Sequence, residues 1–117
     1  MHANPTQPAV KLKIGDETFD LVFDFEAIAE AEEITGKSLL SGLDAQNAAR
    51  PAINFVRALF FACAKPRRPG LTYEQAKVYV TRESFADVWK AVLEAWTAAF
   101  TETEAQAEPA DPSESQA

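Results

Sequence analysis

Glu26, Glu30, Glu32 and Glu33 are the residues of this chain that come closest to chemistry by type and spacing. Spacings of three and four place Glu26, Glu30 and Glu33 on one face of a helix. Clustered carboxylates can exchange protons with a substrate or hold a hard cation. Acid–base work needs a shaped pocket, and a cation site usually adds further oxygen ligands or a histidine. The single histidine is His2, far from the cluster in sequence. The face therefore reads as a solvated acidic surface or, functionally, as an acidic docking surface. No catalytic residue, metal or cofactor is expected.

Glu32 stands apart from that cluster. Phe25, Ile28, Ala29 and Glu32 follow at i, i+3, i+4 and i+7, so a carboxylate continues an apolar stripe. It also lies near the C-terminal end of its helix, where the dipole disfavours negative charge. A buried carboxylate needs donors. The nearest in sequence are free N–H groups at the start of a turn at Ser38, and Arg57 is a second candidate. A structural tie is the expectation for Glu32, with partner recognition as the other reading.

Arg57 and Phe61 form the next constellation. Between Pro51 and Lys65, Ala52, Ile53, Phe55, Val56, Leu59, Phe60, Ala62 and Cys63 sweep a wide apolar arc. The remaining stripe is Asn54, Arg57, Phe61 and Lys65. Phe61 thus sits among polar residues. A helix apolar most of the way round is usually central and buried, which would cover Phe61. The alternative is an exposed aromatic anchor flanked by Arg57, residue types enriched at interface hot spots. Cys63 has no neighbouring histidine and apolar surroundings, so it reads as a small core residue. No phosphate-cradling glycine loop, zinc spacing or nucleophile elbow is present.

Short elements must position these residues. Val10, Leu12 and Ile14 alternate with Lys11 and Lys13, and Phe19, Leu21 and Phe23 alternate after Gly15-Asp16. That pattern predicts a β-hairpin near 10–23 with one buried face. Asp24 is a good N-cap, Glu26 suits the positive end of the dipole, and Gly36 ends the helix that runs from Phe25 to Ile34. Ser38 is placed to cap a one-turn helix through Leu43. Pro51 suits the first position of the next helix, to about Lys65. Pro66, Pro69 and Gly70 then force a turn. Thr72 and Gln75 form a capping box with Leu71 and Ala76 as a hydrophobic staple, opening a helix that ends near Thr81. Ser84 and Asp87 make a second box. The last helix runs to about Phe100, with Phe85, Val88, Trp89, Val92, Leu93, Trp96, Ala99 and Phe100 facing the core. Asp87, Lys90, Glu94 and Thr97 take its other side.

The expected architecture is α+β: an N-terminal hairpin packed on a small bundle of about four helices. Residues 1–9 read as a flexible arm, 10–100 as one domain, and 101–117 as a disordered acidic tail. That tail lacks the apolar surface to offset its ordering entropy.

Composition narrows the function classes. A chain of 117 residues is one domain, and eight Phe with two Trp help to fill a modest core. One cysteine excludes an internal disulfide and points to a reducing compartment. No run approaches the roughly 18 apolar residues of a membrane span. No secretion signal is visible at Met1-His2-Ala3-Asn4-Pro5, so the cytoplasm is the expected location. The net charge of -7 argues against sequence-independent nucleic-acid binding. No Lys or Arg interrupts the carboxylates between Asp16 and Glu33. Basic residues gather at Lys65, Arg67 and Arg68. An acidic chain with one small basic turn suits a protein partner.

The stretch from Lys11 to Leu40 carries a resemblance. It has the hairpin with Gly15-Asp16 at its turn, the Glu32-Glu33 pair, Gly36, and then Lys37-Ser38-Leu39-Leu40. It resembles the small tail assembly chaperones of long-tailed bacteriophages and is similar to the corresponding protein of gene transfer agents. The later part adds a helix rich in Phe, Leu and Ala, a loop ending in Leu71-Thr72 before Glu74, and two further helices. The likeness covers about residues 10–100, and its motifs are short and not catalytic.

The resemblance implies a role without a reaction. Such proteins coat the tape measure protein during tail morphogenesis, keep its long apolar helices in solution and help to recruit tail tube subunits. They act in the bacterial cytoplasm and are absent from the mature virion. Many also exist in a longer frameshifted form, and the Pro- and Glu-rich end is where such an extension would attach. The expected partners are thus the tape measure protein and the tail tube protein, with self-association a further expectation and neither nucleic acid nor membrane among them. Phe61, Arg57, Glu26, Glu30 and Glu33 are the expected contact residues. A host acidic adaptor or antitoxin-like protein that neutralises a basic partner is the alternative. A tape measure gene downstream and a tube gene upstream separate the first from the second. A small enzyme would need a clustered polar pocket near Glu26, Glu30, Glu32 and Arg57.

Overall fold

The computed structural model describes residues 9–40, 42–43 and 48–107. Of the expected N-terminal arm, residues 1–8 lie outside the described residues, as do 108–117 of the expected acidic tail.

Alternation becomes a two-stranded antiparallel hairpin, β1 (Val10–Ile14) and β2 (Glu17–Leu21). Leu12 pairs with Phe19 and Val10 with Leu21, so the apolar members share one face. Leu12, Phe19 and Leu21 are buried, while Lys11, Lys13 and Thr18 are exposed. Lys11 Nζ donates across the strands to Asp20 Oδ1 at 2.6 Å. Gly15 has a φ of 60°, the left-handed conformation that a two-residue hairpin turn demands. The second strand stops at Leu21, short of the expected Phe23. The Val22 N–H leaves the ladder and donates to the Cys63 carbonyl at 2.8 Å. That carbonyl belongs to the last turn of a helix, where partners are missing. Val22 and Phe23 are both buried there.

Helix α1 spans Phe25–Thr35. Asp24 caps it, its Oδ1 accepting from Ala27 N at 2.8 Å. Gly36, at φ 71°, closes it by donating to the Glu32 carbonyl at 2.8 Å. Ala27, Ile28 and Ala31 face the core. The one-turn helix expected from Ser38 to Leu43 is replaced by a turn in which Gly42 N donates to Leu39 O at 2.9 Å, Ser41 lying outside the described residues.

Helix α2 (Ile53–Ala64) is the centre of the fold. It packs against α1, β2 and both later helices. From Phe55 to Ala64 every residue except Arg57 is buried. The helix begins with Ala52 as its N-cap, after Pro51 rather than at it. It tightens into a 3₁₀ turn at Lys65–Arg67, where Pro66 ends the α-helical bonding.

Helix α3 (Tyr73–Tyr79) opens on the expected capping box: Gln75 N donates to Thr72 Oγ1 at 3.1 Å and Thr72 N to Gln75 Oε1 at 3.0 Å. The box expected at Ser84 and Asp87 lies one turn earlier. Ser84 N donates to Thr81 Oγ1 at 3.3 Å, and Thr81 N to Ser84 Oγ at 3.0 Å. The Ser84 hydroxyl in turn donates to Tyr79 O at 2.7 Å, which ties the new helix to the end of α3.

Helix α4 spans Phe85–Ala107, past the expected end at Phe100. Residues 101–107, assigned to the tail by composition, are Thr, Glu, Ala and Gln. Ala, Glu and Gln are strong helix formers that extend a helix already nucleated. Val88, Trp89, Val92 and Trp96 face the core as expected. Edge-to-face aromatic pairs knit the layers: Phe19 with Phe60 at 5.1 Å, Phe23 with Trp96 at 5.0 Å, and Phe55 with Trp89 at 6.0 Å. Such pairs add about 0.5–1.5 kcal/mol each beyond area burial. The fold is therefore α+β, an N-terminal hairpin packed against helices.

Candidate partner-binding face

The stripe of α2 that sequence offered as an anchor is covered. Phe61 is buried, with 6% of its surface exposed. Tyr73 of α3 lies edge-on to its ring at 5.5 Å, and Lys65 Nζ stands 5.5 Å from its centroid. Arg57 is turned inward as well. Its Nε and Nη2 donate to the Val80 carbonyl at 3.4 and 3.2 Å. That carbonyl follows the last turn of α3, so Arg57 satisfies an acceptor the helix leaves unpaired. Burial of Phe61 is what a helix apolar most of the way round predicts; the alternative, an exposed anchor flanked by Arg57, is not realised, because α3 covers Phe61 and leaves Arg57 half-buried.

Glu32 does what its placement demanded. Its Oε2 accepts from Leu39 N at 2.7 Å and from Leu40 N at 3.0 Å. These are the free N–H groups beyond Ser38; the second candidate, Arg57, is bonded to Val80. The tie folds Lys37–Leu40 back against the end of α1. It buries Leu39 and leaves Leu40 53% exposed.

The acidic cluster divides. Glu26 and Glu33 are exposed on the outward side of α1. Glu30 is half-buried and pairs with Lys65 across to the 3₁₀ turn at 3.4 Å. A half-exposed pair of this kind contributes at most about 1 kcal/mol. The basic turn is largely engaged inside the molecule. Arg68 Nη2 donates to Glu17 Oε1 at 2.9 Å, and its guanidinium lies 4.3 Å from the Phe19 ring centroid.

Phe25 is the residue that sequence reasoning misplaced. Period places it on an apolar stripe with Ile28 and Ala29, yet it is 68% exposed and Ala29 is exposed too. The buried arc of α1 is centred on Ala27, Ile28 and Ala31 instead. Phe25, at the first position of the helix, lies outside that arc. The available signal was the pair Ala27 and Ala31 at i and i+4, which with Ile28 defines a competing stripe.

A groove of about 300 Å³ opens between α1 and the 3₁₀ turn. Asp24, Glu26 and Glu30 line one side, and Lys65, Pro66 and Pro69 the other, over Ala27 and Ala62. Among the described residues, no group of three His, Cys, Asp or Glu side chains is placed to hold a metal ion. Cys63 is fully buried, and burial pushes its thiol far above the ordinary range. No helix among the described residues is long and apolar enough to cross a membrane. Comparison with protein-family models, curated proteins and solved structures gave no match.

Proposed function

We propose that this chain is a non-enzymatic tail assembly chaperone that binds a tape measure protein through the outward face of α1 and helps to recruit tail tube subunits. One observation carries the reading beyond the sequence resemblance. Phe25 at the start of α1 is 68% exposed and Leu40, in the turn beyond its end, 53%, while Glu26 and Glu33 are exposed on the helix between. Helix α1 has 11 residues and is therefore about 16 Å long. An exposed aromatic and an exposed leucine flanking exposed carboxylates suit an elongated apolar helix better than a small substrate. Glu32 supports the face from beneath, because its two hydrogen bonds fix where Leu40 emerges. On this reading the protein works in the bacterial cytoplasm and is absent from the finished particle.

A second reading, an acidic adaptor or antitoxin-like protein that neutralises a basic partner, draws on the net charge of -7. Charge alone would then carry binding, and Phe25 would be dispensable. Co-expression with a tape measure protein of a long-tailed phage, taken from the same gene cluster as this chain, followed by pull-down and size analysis, tests the first reading. A complex retaining the tape measure in solution is expected. An insoluble tape measure with no complex formed would refute it. A complex unaffected by Phe25→Ser would refute the proposed face.

A further inference from the structure

The groove beside α1 has a lining that selects its guest. Its floor and one wall are apolar, from Ala27, Ala62, Pro66 and Pro69. Its charged groups are Asp24, Glu26, Glu30 and Lys65. Asp24 serves as the N-cap of α1, and Glu30 is paired with Lys65. Glu26 has no partner among the described residues. Three carboxylates against one ammonium leave a surplus of negative charge. The positive end of the α1 dipole, equivalent to about half an elementary charge, does not cancel it. At about 300 Å³ the groove lies at the small end of ligand-binding cavities, with room for one long side chain rather than a folded element.

We infer that this groove takes a lysine or arginine side chain of the helical segment that docks on α1, its methylene stem lying on Pro66 and Pro69 and its cation reaching Glu26. This rests on the partner-binding reading of α1. Long cationic side chains suit such a lining because their stems cover apolar surface while their heads stay near water. Phe25, exposed in the first turn of α1 and outside the groove lining, is available to an apolar residue of the same segment. The guest is thus an amphipathic helix with a basic residue beside an apolar one, and an acidic segment is rejected by like charge.

A titration of the full isotope-labelled chain with a synthetic amphipathic peptide, leucine on one face and lysine on the other, tests this by nuclear magnetic resonance. The expected result is a set of shift changes at Phe25, Glu26, Glu30 and Lys65 that weakens with added salt. A peptide with glutamate in place of every lysine should leave those signals unmoved. Glu26→Gln should weaken binding about fivefold, equivalent to about 1 kcal/mol, with the fold intact. Equal binding of the two peptides, changes centred on the exposed Val78 of α3, or no binding at all would overturn the inference. The tape measure pull-down is read separately. Failure there with peptide binding intact removes the proposed partner and keeps the groove. Undiminished capture by the Glu26→Gln protein removes the groove and keeps the partner.

Discussion

Replacing Glu32 by alanine removes the carboxylate that holds Leu39 and Leu40 against the end of α1. Its Oε2 accepts two backbone N–H groups, from Leu39 at 2.7 Å and Leu40 at 3.0 Å. Hydrogen bonds to a charged acceptor contribute about 1.5–3 kcal/mol each when they are well shielded. Glu32 is half-buried, which lowers that figure. Leu40 is exposed, so water replaces the carboxylate at its N–H. Leu39 is 3% exposed, and its N–H is left largely without a substitute. Two gains oppose the loss. Alanine is the better helix former, and removing a negative charge from the C-terminal turn of α1 returns about 0.3–1 kcal/mol. The net expectation is a destabilisation of about 1–2 kcal/mol, or about 5–10 °C in Tm for a domain of this size. Glu32→Gln keeps an acceptor but loses the charge and should cost about half as much. Urea and thermal unfolding give the global figure, and amide exchange at Leu39 and Leu40 reports the turn itself. An alanine variant as stable as the parent, with unchanged exchange at those amides, would refute the account of Glu32.

Phe61→Ala should cost about 3–5 kcal/mol of unfolding free energy, the range for emptying an aromatic from a core, whereas Phe25→Ser should stay within about 0.5 kcal/mol; urea denaturation of both separates a core ring from a surface one. Gly36→Ala should destabilise by about 1–2 kcal/mol because φ is 71° there, while open space around the position adds no steric cost, and Gly36→Asn should cost less in the same measurement. The Cys63 thiol should resist alkylation in the native protein at neutral pH and react at once in denaturant, as a timed thiol assay shows; fast native labelling would contradict its burial. Burial raises the Cys63 thiol above its unfolded value, so its contribution to stability is complete below the ordinary thiol range of about 8.5 and declines as pH rises through and beyond that range. Cys63→Ala should lose less stability than the parent over that alkaline range, measured as urea midpoints at matched pH.

The fold was legible where a local rule and the global packing agreed. The hairpin, the Asp24 and Gly36 caps, the Thr72–Gln75 box and the core face of α4 each rest on short-range chemistry that tertiary contacts reinforce. Departures occur where a long-range partner decides. Val22 leaves its strand for the Cys63 carbonyl, which no local window reveals. Ser84 bonds backward to Thr81 and Tyr79 rather than forward to Asp87, so its capping motif was assigned one turn late. Composition read residues 101–107 as tail because it weighs apolar content, while the continuing helix is sustained by propensity.

The candidate site shows the same division more sharply. Period alone places Phe25 on an apolar stripe, and the structure turns it outward; Phe61 lies among polar residues by period yet is buried, as expected of a helix apolar most of the way round. An apolar residue in a polar stripe is buried when another element lies across it, as α3 does over Phe61 through Tyr73. An apolar residue in an apolar stripe is exposed when a competing arc is the one buried, as Ala27, Ile28 and Ala31 are in α1. The charged residues sort by the same reasoning. Arg57, Arg68 and Glu32 have their hydrogen-bonding groups engaged within the molecule, and each removes an unpaired backbone group or holds a turn or carboxylate. Glu26 and Glu33 stand on the outward side of α1, where they add little to its packing. Exposed residues that do little for folding are those on which a partner can act without disturbing the core. Substituting them should therefore change binding while leaving stability within about 0.5 kcal/mol. Loss of both together at Glu26 or Phe25, in parallel unfolding and pull-down assays, would show that the face is structural instead.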